Sequence, residues 1–142
     1  MLYSKILVAY DDSEIARKAL EKALEIAKTD PGIEIHIIHV IKLPTTARSE
    51  MDNFQAFEDA MNQEGRDIIA KAEQAMSVLP NHSEPHLLEG ISPAYVILKY
   101  SEKYNCDLIV IGSRGLSGIT EFLGSVSHTV VHHSRIPVLI IK

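Results

Sequence analysis

The chain has 142 residues, 46% of them hydrophobic and 23% charged, which is the length and make-up of one compact domain able to bury about 70% of its unfolded surface. Nineteen acidic residues against fourteen basic give a net charge of −5, so a nucleic-acid duplex is repelled on average and no local Lys/Arg cluster offsets this. A single cysteine, Cys106, excludes an internal disulfide, and no apolar run approaches the roughly eighteen residues of a membrane span. Met1 to Lys5 leads straight into strand-like sequence, which leaves no room for a signal peptide and places the expected home in the cytoplasm.

Ile6 to Tyr10 is a continuous apolar run, the pattern of a strand covered on both faces. Ser13 or Asp12 can cap the helix that follows, and Glu14 suits its positive first turn. Ala16, Ala19, Leu20, Ala23, Leu24 and Ala27 recur at three- and four-residue steps and end before Pro31-Gly32. A second strand runs from Ile35 to Ile41, and Lys42 to Ser49 reads as a loop. Phe54, Phe57, Met61, Ile68, Ala72, Ala75, Met76 and Leu79 mark a long helix reaching about Pro80, with Phe54, Phe57 and Met61 expected in its core-facing stripe or as a cover beside the site. Asn81 to Pro85 is a turn cluster, and a short third strand is expected around His86 to Glu89.

Ser92-Pro93 combines a capping hydroxyl with proline at the first helical position. That helix carries Ala94, Ile97, Leu98 and Tyr104 and stops near Asn105. Leu108 to Ile111 is the fourth strand and breaks at Gly112. Gly124-Ser125 opens a short helix through His133, and Val138 to Ile141 forms the last strand after Pro137. Strand and helix thus alternate without repeat or linker, and such alternation of nearly all-apolar strands means parallel pairing through right-handed crossovers. One α/β domain spans residues 1–142.

In an open parallel sheet, ligands bind beyond the carboxyl ends of strands where the strand order reverses. Two such ends carry unusual composition: Asp11-Asp12-Ser13 after the first strand, and Gly112 to Ser127 after the fourth. Glycines at 112, 115, 118 and 124 allow the backbone to turn tightly and bring its N–H groups against a phosphate. The helix start at Gly124-Ser125 offers free amides, the Ser125 hydroxyl adds a donor, and Arg114 could supply charge. The plainer reading is that these glycines only turn the chain. No Gly-Lys-Ser or Gly-Lys-Thr follows them, and the first strand lacks Gly-x-Gly-x-x-Gly, so the common phosphate-loop and dinucleotide signatures are absent.

Other candidates have ordinary explanations. His36 and His39 point to opposite faces of a strand and cannot chelate together, and His39 suits an interior site with its ring hydrogen-bonded. His128 and His132 share a helix face without an evident third ligand, while His132-His133 favour the negative helix end. Adjacent Asp11 and Asp12 point in different directions with no nucleophile beside them. Cys106 reads as a small, partly buried residue at a strand start.

The motifs Ile6-Leu7-Val8-Ala9-Tyr10-Asp11-x-Ser13, Ile38-His39-Val40, Cys106 to Gly112, Gly112-x-x-Gly115 with Gly124-Ser125, and Pro137 to Ile141 together resemble the ATP-binding type of the universal stress protein family, over the whole chain. The resemblance implies an open five-stranded parallel sheet with helices on both faces, Rossmann-like and adenine nucleotide α-hydrolase-like, in strand order 3-2-1-4-5. It further implies Asp11 at the adenosine end, the Val40 backbone on adenine, Ile111 and Gly112 along the ribose, and Gly115, Gly124, Ser125 and Val126 on the phosphates. Ala9, Tyr10, Ser113, Arg114 and Ser127 complete the expected lining. Any Mg or Mn would be held mainly by phosphate oxygens. The stretch Leu116 to Leu123 is one residue shorter than is usual in the family, and Asp12 stands where glycine is common.

If the last strand is an edge strand, Val138 to Ile141 exposes unpaired backbone that antiparallel pairing with a second copy would cover. The family commonly dimerises in this way, so a homodimer is the expectation. The reading is a cytoplasmic stress-response regulator that binds ATP, hydrolyses it slowly at most for want of a general base, and changes partner docking around Lys42 to Glu50 and Arg114 to Thr120. A dimeric interaction module without nucleotide is the alternative. An α-hydrolase-type enzyme would want a Ser-Gly-Gly-x-Asp-Ser loop where Tyr10-Asp11-Asp12-Ser13 stands.

Overall fold

The structure is a computed structural model and describes residues 1–45, 54–114 and 124–142. Its elements are β1 (Lys5–Ala9), α1 (Glu14–Ala27), β2 (Glu34–Lys42), α2 (Phe54–Met76), β3 (Ser83–Gly90), α3 (Pro93–Lys103), β4 (Leu108–Gly112), α4 (Ser125–His133) and β5 (Val138–Ile141). The strands form one parallel sheet in the order β3-β2-β1-β4-β5, the expected arrangement.

Strand pleating divides the core. Ile6, Val8, Ile35, Ile37, Leu108 and Val110 face α1 and α2, while Leu7, Ile38, Ile109 and Ile111 face α3 and α4. Ile6, Leu7, Val8, Ile109 and Val110 are fully buried, and each contributes about 1.5–3 kcal/mol relative to an exposed side chain. This two-sided cover explains why β1 and β4 read as unbroken apolar runs. The Asp107 carboxylate sets the start of the β1–β4 pair by accepting from the N–H groups of Ser4 and Lys5.

Three local expectations are corrected. β3 spans Ser83–Gly90 rather than the short His86 to Glu89, because at the sheet edge Pro85 needs no partner for the N–H it lacks. Phe54, Phe57 and Met61 are not core: residues 54–64 contain no buried position, and the buried face of α2 begins at Gly65 with Ile68, Ile69, Ala72 and Met76. Ser92 does not cap α3 through its hydroxyl. Its backbone lies at φ −115, ψ 102, against φ −70, ψ 161 for the capping Ser13, so Pro93 alone marks that helix start. Asn105, at φ 54, turns the chain from α3 into β4 in the left-handed region that asparagine tolerates.

Candidate functional site

β1 and β4 lie side by side at the centre of the sheet, with Val8 opposite Val110. Their connections leave in opposite senses, β1 toward β2 and β4 toward β5, so a crevice opens between the two carboxyl ends. Continuing the register by two residues sets Tyr10 beside Gly112 and Asp11 just beyond.

The first lip of the crevice is made of side chains. Asp11 Oδ1 accepts from the Ser13 N–H at 3.0 Å and from the Ser13 hydroxyl at 2.5 Å. Ser13 Oγ in turn accepts from the Ala16 N–H at 3.2 Å, so Ser13 rather than Asp12 is the cap of α1. Asp12 adopts φ 61, the left-handed conformation that explains why a glycine suits this position. Its carboxylate faces the α1/α2 side, accepting from the Tyr10 hydroxyl at 2.9 Å, Lys71 Nζ at 2.9 Å and Arg17 Nη1 at 3.4 Å. The Lys71 ammonium, foremost, holds the Asp12 carboxyl below its usual range. Burial, with help from the Asp12 hydrogen bond, pushes the Tyr10 phenol up to about 12. The Tyr10 ring therefore belongs to the α1/α2 core. Its backbone N–H donates to Ile38 C=O at 2.8 Å, and its C=O accepts from His39 Nδ1 at 2.9 Å.

The second lip is made of backbone. Ser113 N–H donates to Ile141 C=O at 2.8 Å, and Ser113 C=O accepts from the Gly124 N–H at 2.6 Å and the buried Ser127 hydroxyl at 2.7 Å. These bonds stitch the end of β4 to the start of α4. A Cβ on Gly124 would lie 3.3 Å from Arg114 Cα, and one on Gly112 would lie 2.9 Å from Ile15 Cγ2. Close approach therefore calls for glycine at 112 and leaves a Cβ at 124 tight against its neighbour, and neither glycine has a positive φ. The Gly124 amide is committed to Ser113 and the Ser127 hydroxyl is turned inward. The helix's own ladder begins with His128 N–H to Gly124 C=O at 2.9 Å, so the amides of Ser125, Val126 and Ser127 lead the helix into the crevice ahead of it.

Val40 forms the third wall. Even-numbered residues of β2 direct their backbone groups to β1, as in Glu34 N–H to Ser4 C=O (2.9 Å) and Ile38 C=O from Tyr10 N–H (2.8 Å). Odd-numbered ones turn to β3, as in Ile35 N–H to His82 C=O (3.0 Å). Val40 is the next even residue, beyond the point where β1 leaves the sheet, so its N–H and C=O face the crevice.

The fold therefore brings together Ala9, Tyr10, Asp11, Val40, Ile111, Gly112, Ser113, Arg114 and Gly124 to Ser127. Gly115 and the shortened stretch from Leu116 to Leu123 lie outside the described residues, as does most of the Lys42 to Glu50 loop. Sequence reasoning missed Ile15, which packs on Gly112, and the Arg17 and Lys71 partners of Asp12. Lys71 is 59 positions away from Asp12 and leaves no local signal.

The other candidates are placed as follows. His36 is buried on the α3 side with Nδ1 2.6 Å from the Tyr100 hydroxyl, and burial lowers its pKa. His39 is half-buried on the opposite face. His128 and His132 stack in parallel on α4. Among the described residues no group of three or more His, Cys, Asp or Glu side chains could hold a metal ion, and no helix is long and apolar enough to cross a membrane. Cys106 is 4% exposed, and burial pushes its thiol up to about 11, so it is an inert core residue.

A doubly wound α/β domain whose crevice is walled by backbone groups and one carboxylate turn is the class of protein this geometry defines. Residues 2–142 match the model of the universal stress protein family, and the chain belongs to that family. It is 33% identical over 151 aligned residues to the universal stress protein YxiE of Bacillus subtilis, covering 99% of this chain and 100% of the relative. The fold superposes on universal stress protein UspA from Lactobacillus plantarum with TM-score 0.87, at 24% identity over 99% of this chain and 98% of the other. It also matches the Archaeoglobus fulgidus universal stress protein in complex with dAMP (TM-score 0.72, 24% identity, 100% of both chains). An Arabidopsis thaliana family member with AMP bound matches with TM-score 0.73 at 24% identity, over 98% of this chain and 91% of the other. At these identities the structural likeness establishes the fold.

Proposed function

We propose that this protein is a cytoplasmic stress-response regulator that binds an adenine nucleotide, ATP foremost, as a homodimer and hydrolyses it slowly at most. The observation that carries the reading is the stitch from Ser113 C=O to the Gly124 N–H and the Ser127 hydroxyl. It sets the leading amides of α4 at the mouth of the β1/β4 crevice, where a helix N-terminus favours phosphate. The outward N–H and C=O of Val40 suit the edge of an adenine ring, and Asp11 suits a ribose hydroxyl. The dAMP and AMP held by the Archaeoglobus and Arabidopsis proteins support the same ligand class. A bound Mg or Mn would rest mainly on phosphate oxygens.

β5 lies at the sheet edge with all four residues half-buried, and antiparallel pairing with a second copy would complete its hydrogen bonding. Calorimetric titration with ATP, with and without magnesium, tests the reading. Saturation near one nucleotide per chain is expected. Flat heats to millimolar ATP, with no thermal shift, would leave a dimeric docking module instead. Sedimentation at micromolar concentration should show a dimer, and a monomer would sink that part of the reading.

A further inference from the structure

Asp12 is the one described residue besides Asn105 that takes a positive φ without being glycine. A left-handed backbone at such a residue costs about 1 kcal/mol or more and persists where its surroundings over-determine it. Here the surroundings are specific. Arg17 Nη1 donates to Asp12 C=O at 2.7 Å, and the carboxylate accepts from the Tyr10 hydroxyl and from Lys71 Nζ, each at 2.9 Å. These partners come from three places: just past the end of β1, the first turns of α1 and the last third of α2. A groove of about 320 Å³, whose lining includes Tyr10, Asp12, Arg17, Glu21 and Lys71, separates the two helices at this point. The loop and α2 are therefore joined here by a polar bridge across open space.

Asp11 and Asp12 turn their carboxylates to different partners of one tight turn: Asp11 to Ser13, at the lip of the crevice, and Asp12 to Tyr10, Arg17 and Lys71, on the helix side. Because the two share a peptide unit, the placement of Asp11 follows the dihedrals of Asp12.

We propose that Asp12, held by Lys71, is a positioning residue that presents Asp11 to the nucleotide and thereby links occupancy of the crevice to helix α2. This rests on the nucleotide reading above. Linkage is reciprocal, so a nucleotide that draws on Asp11 strengthens the Asp12–Lys71 bridge, and the bridge strengthens nucleotide binding.

The test is a double-mutant cycle in the full chain, with AMP and ATP affinities by calorimetry and the melting temperature without nucleotide. Asp12→Asn keeps a residue that tolerates the left-handed backbone and removes the charge, while Lys71→Met removes the ammonium and keeps the apolar stem. Each is expected to weaken AMP and ATP alike by about fivefold, the scale of a part-exposed ion pair, with the double variant no worse than either single one. Lys71→Arg should recover most of the loss. Plain electrostatics predicts otherwise: loss of a negative charge at Asp12 would tighten ATP, loss of a positive charge at Lys71 would weaken it, and the effects would add. That pattern overturns the proposal. So does a lowered melting temperature with unchanged affinities, which marks the bridge as structural only. If the parent chain gives no heat with either nucleotide, the nucleotide reading and this inference fall together. Normal parent binding with unmoved variants defeats this inference alone.

Discussion

The two lips of the crevice solve one problem with different materials. At the β1–α1 turn, side chains do the holding: Asp11 on Ser13, Ser13 on Ala16, and Asp12 on Tyr10, Arg17 and Lys71. At the ends of β4 and α4 the backbone does it, with Ser113 bonded to Ile141 and Gly124, a glycine at 112 where a Cβ would collide and one at 124 where it would be tight. The first lip is therefore sensitive to charge and to the loss of single polar atoms. The second is sensitive to added volume, because close-packed backbone has nowhere to move.

The largest effect is expected at the backbone lip. Gly124→Asp places a carboxylate at the head of α4, beside the proposed phosphates, and should weaken ATP binding by about 100-fold or more through like-charge repulsion. Aspartate is a favourable helix cap, so the dimer expected in sedimentation should form in this variant as in the parent. Undiminished affinity would show that the connection is only a turn.

Gly112→Val comes next. Its side chain would meet Ile15, and overpacking of this kind costs about 1–3 kcal/mol, a drop of roughly 3–10 °C in melting temperature. Pairing it with Ile15→Ala should return part of the loss, because the added and removed volumes face each other. Failure of the pair to recover anything would place the strain elsewhere.

At the side-chain lip, Ser13→Ala removes the cap of α1 and should cost about 1 kcal/mol in denaturant melts, with Ser13→Thr close to the parent. Equal melts for the alanine and threonine variants would mean the Asp11–Ser13 turn is held by something other than the hydroxyl.

The smallest effect separates the lips by pH. Asp12 titrates below its ordinary value because of Lys71, so its folded form binds fewer protons than its unfolded form. Its stabilisation is complete above about pH 4 and is lost as pH falls through the folded value. Hydrogen exchange on acidification should loosen the amides of the β1–α1 turn before those of Ser113 and Gly124, which have no carboxylate to protonate. In Asp12→Asn the lead of the β1–α1 turn should shrink, since only the Asp11–Ser13 bonds remain to be weakened there, and a parent chain that loosens both lips at once would show that carboxylates do not set the first lip apart.

The amino-acid sequence by itself determined the order of elements and the parallel sheet, and it singled out the two strand ends between which the crevice opens. Apolar runs, helical periods and Ser13 as a cap are signals between residues within about four positions of each other, where chain geometry alone sets who meets whom. The strand order entered through the family resemblance and was matched by the fold. Only the tertiary structure decided that the Gly124 amide is spent on Ser113, that the Ser127 hydroxyl reaches back 14 positions to the same carbonyl, and that Lys71 answers Asp12 from 59 positions away. It likewise decided that His36, not His39, is the deeply buried ring, matched to a tyrosine 64 positions on. The physical reason is common to all four. A polar group, buried or at the mouth of a groove, pairs with whatever packing sets beside it, and packing is a property of the assembled layers rather than of any stretch of chain.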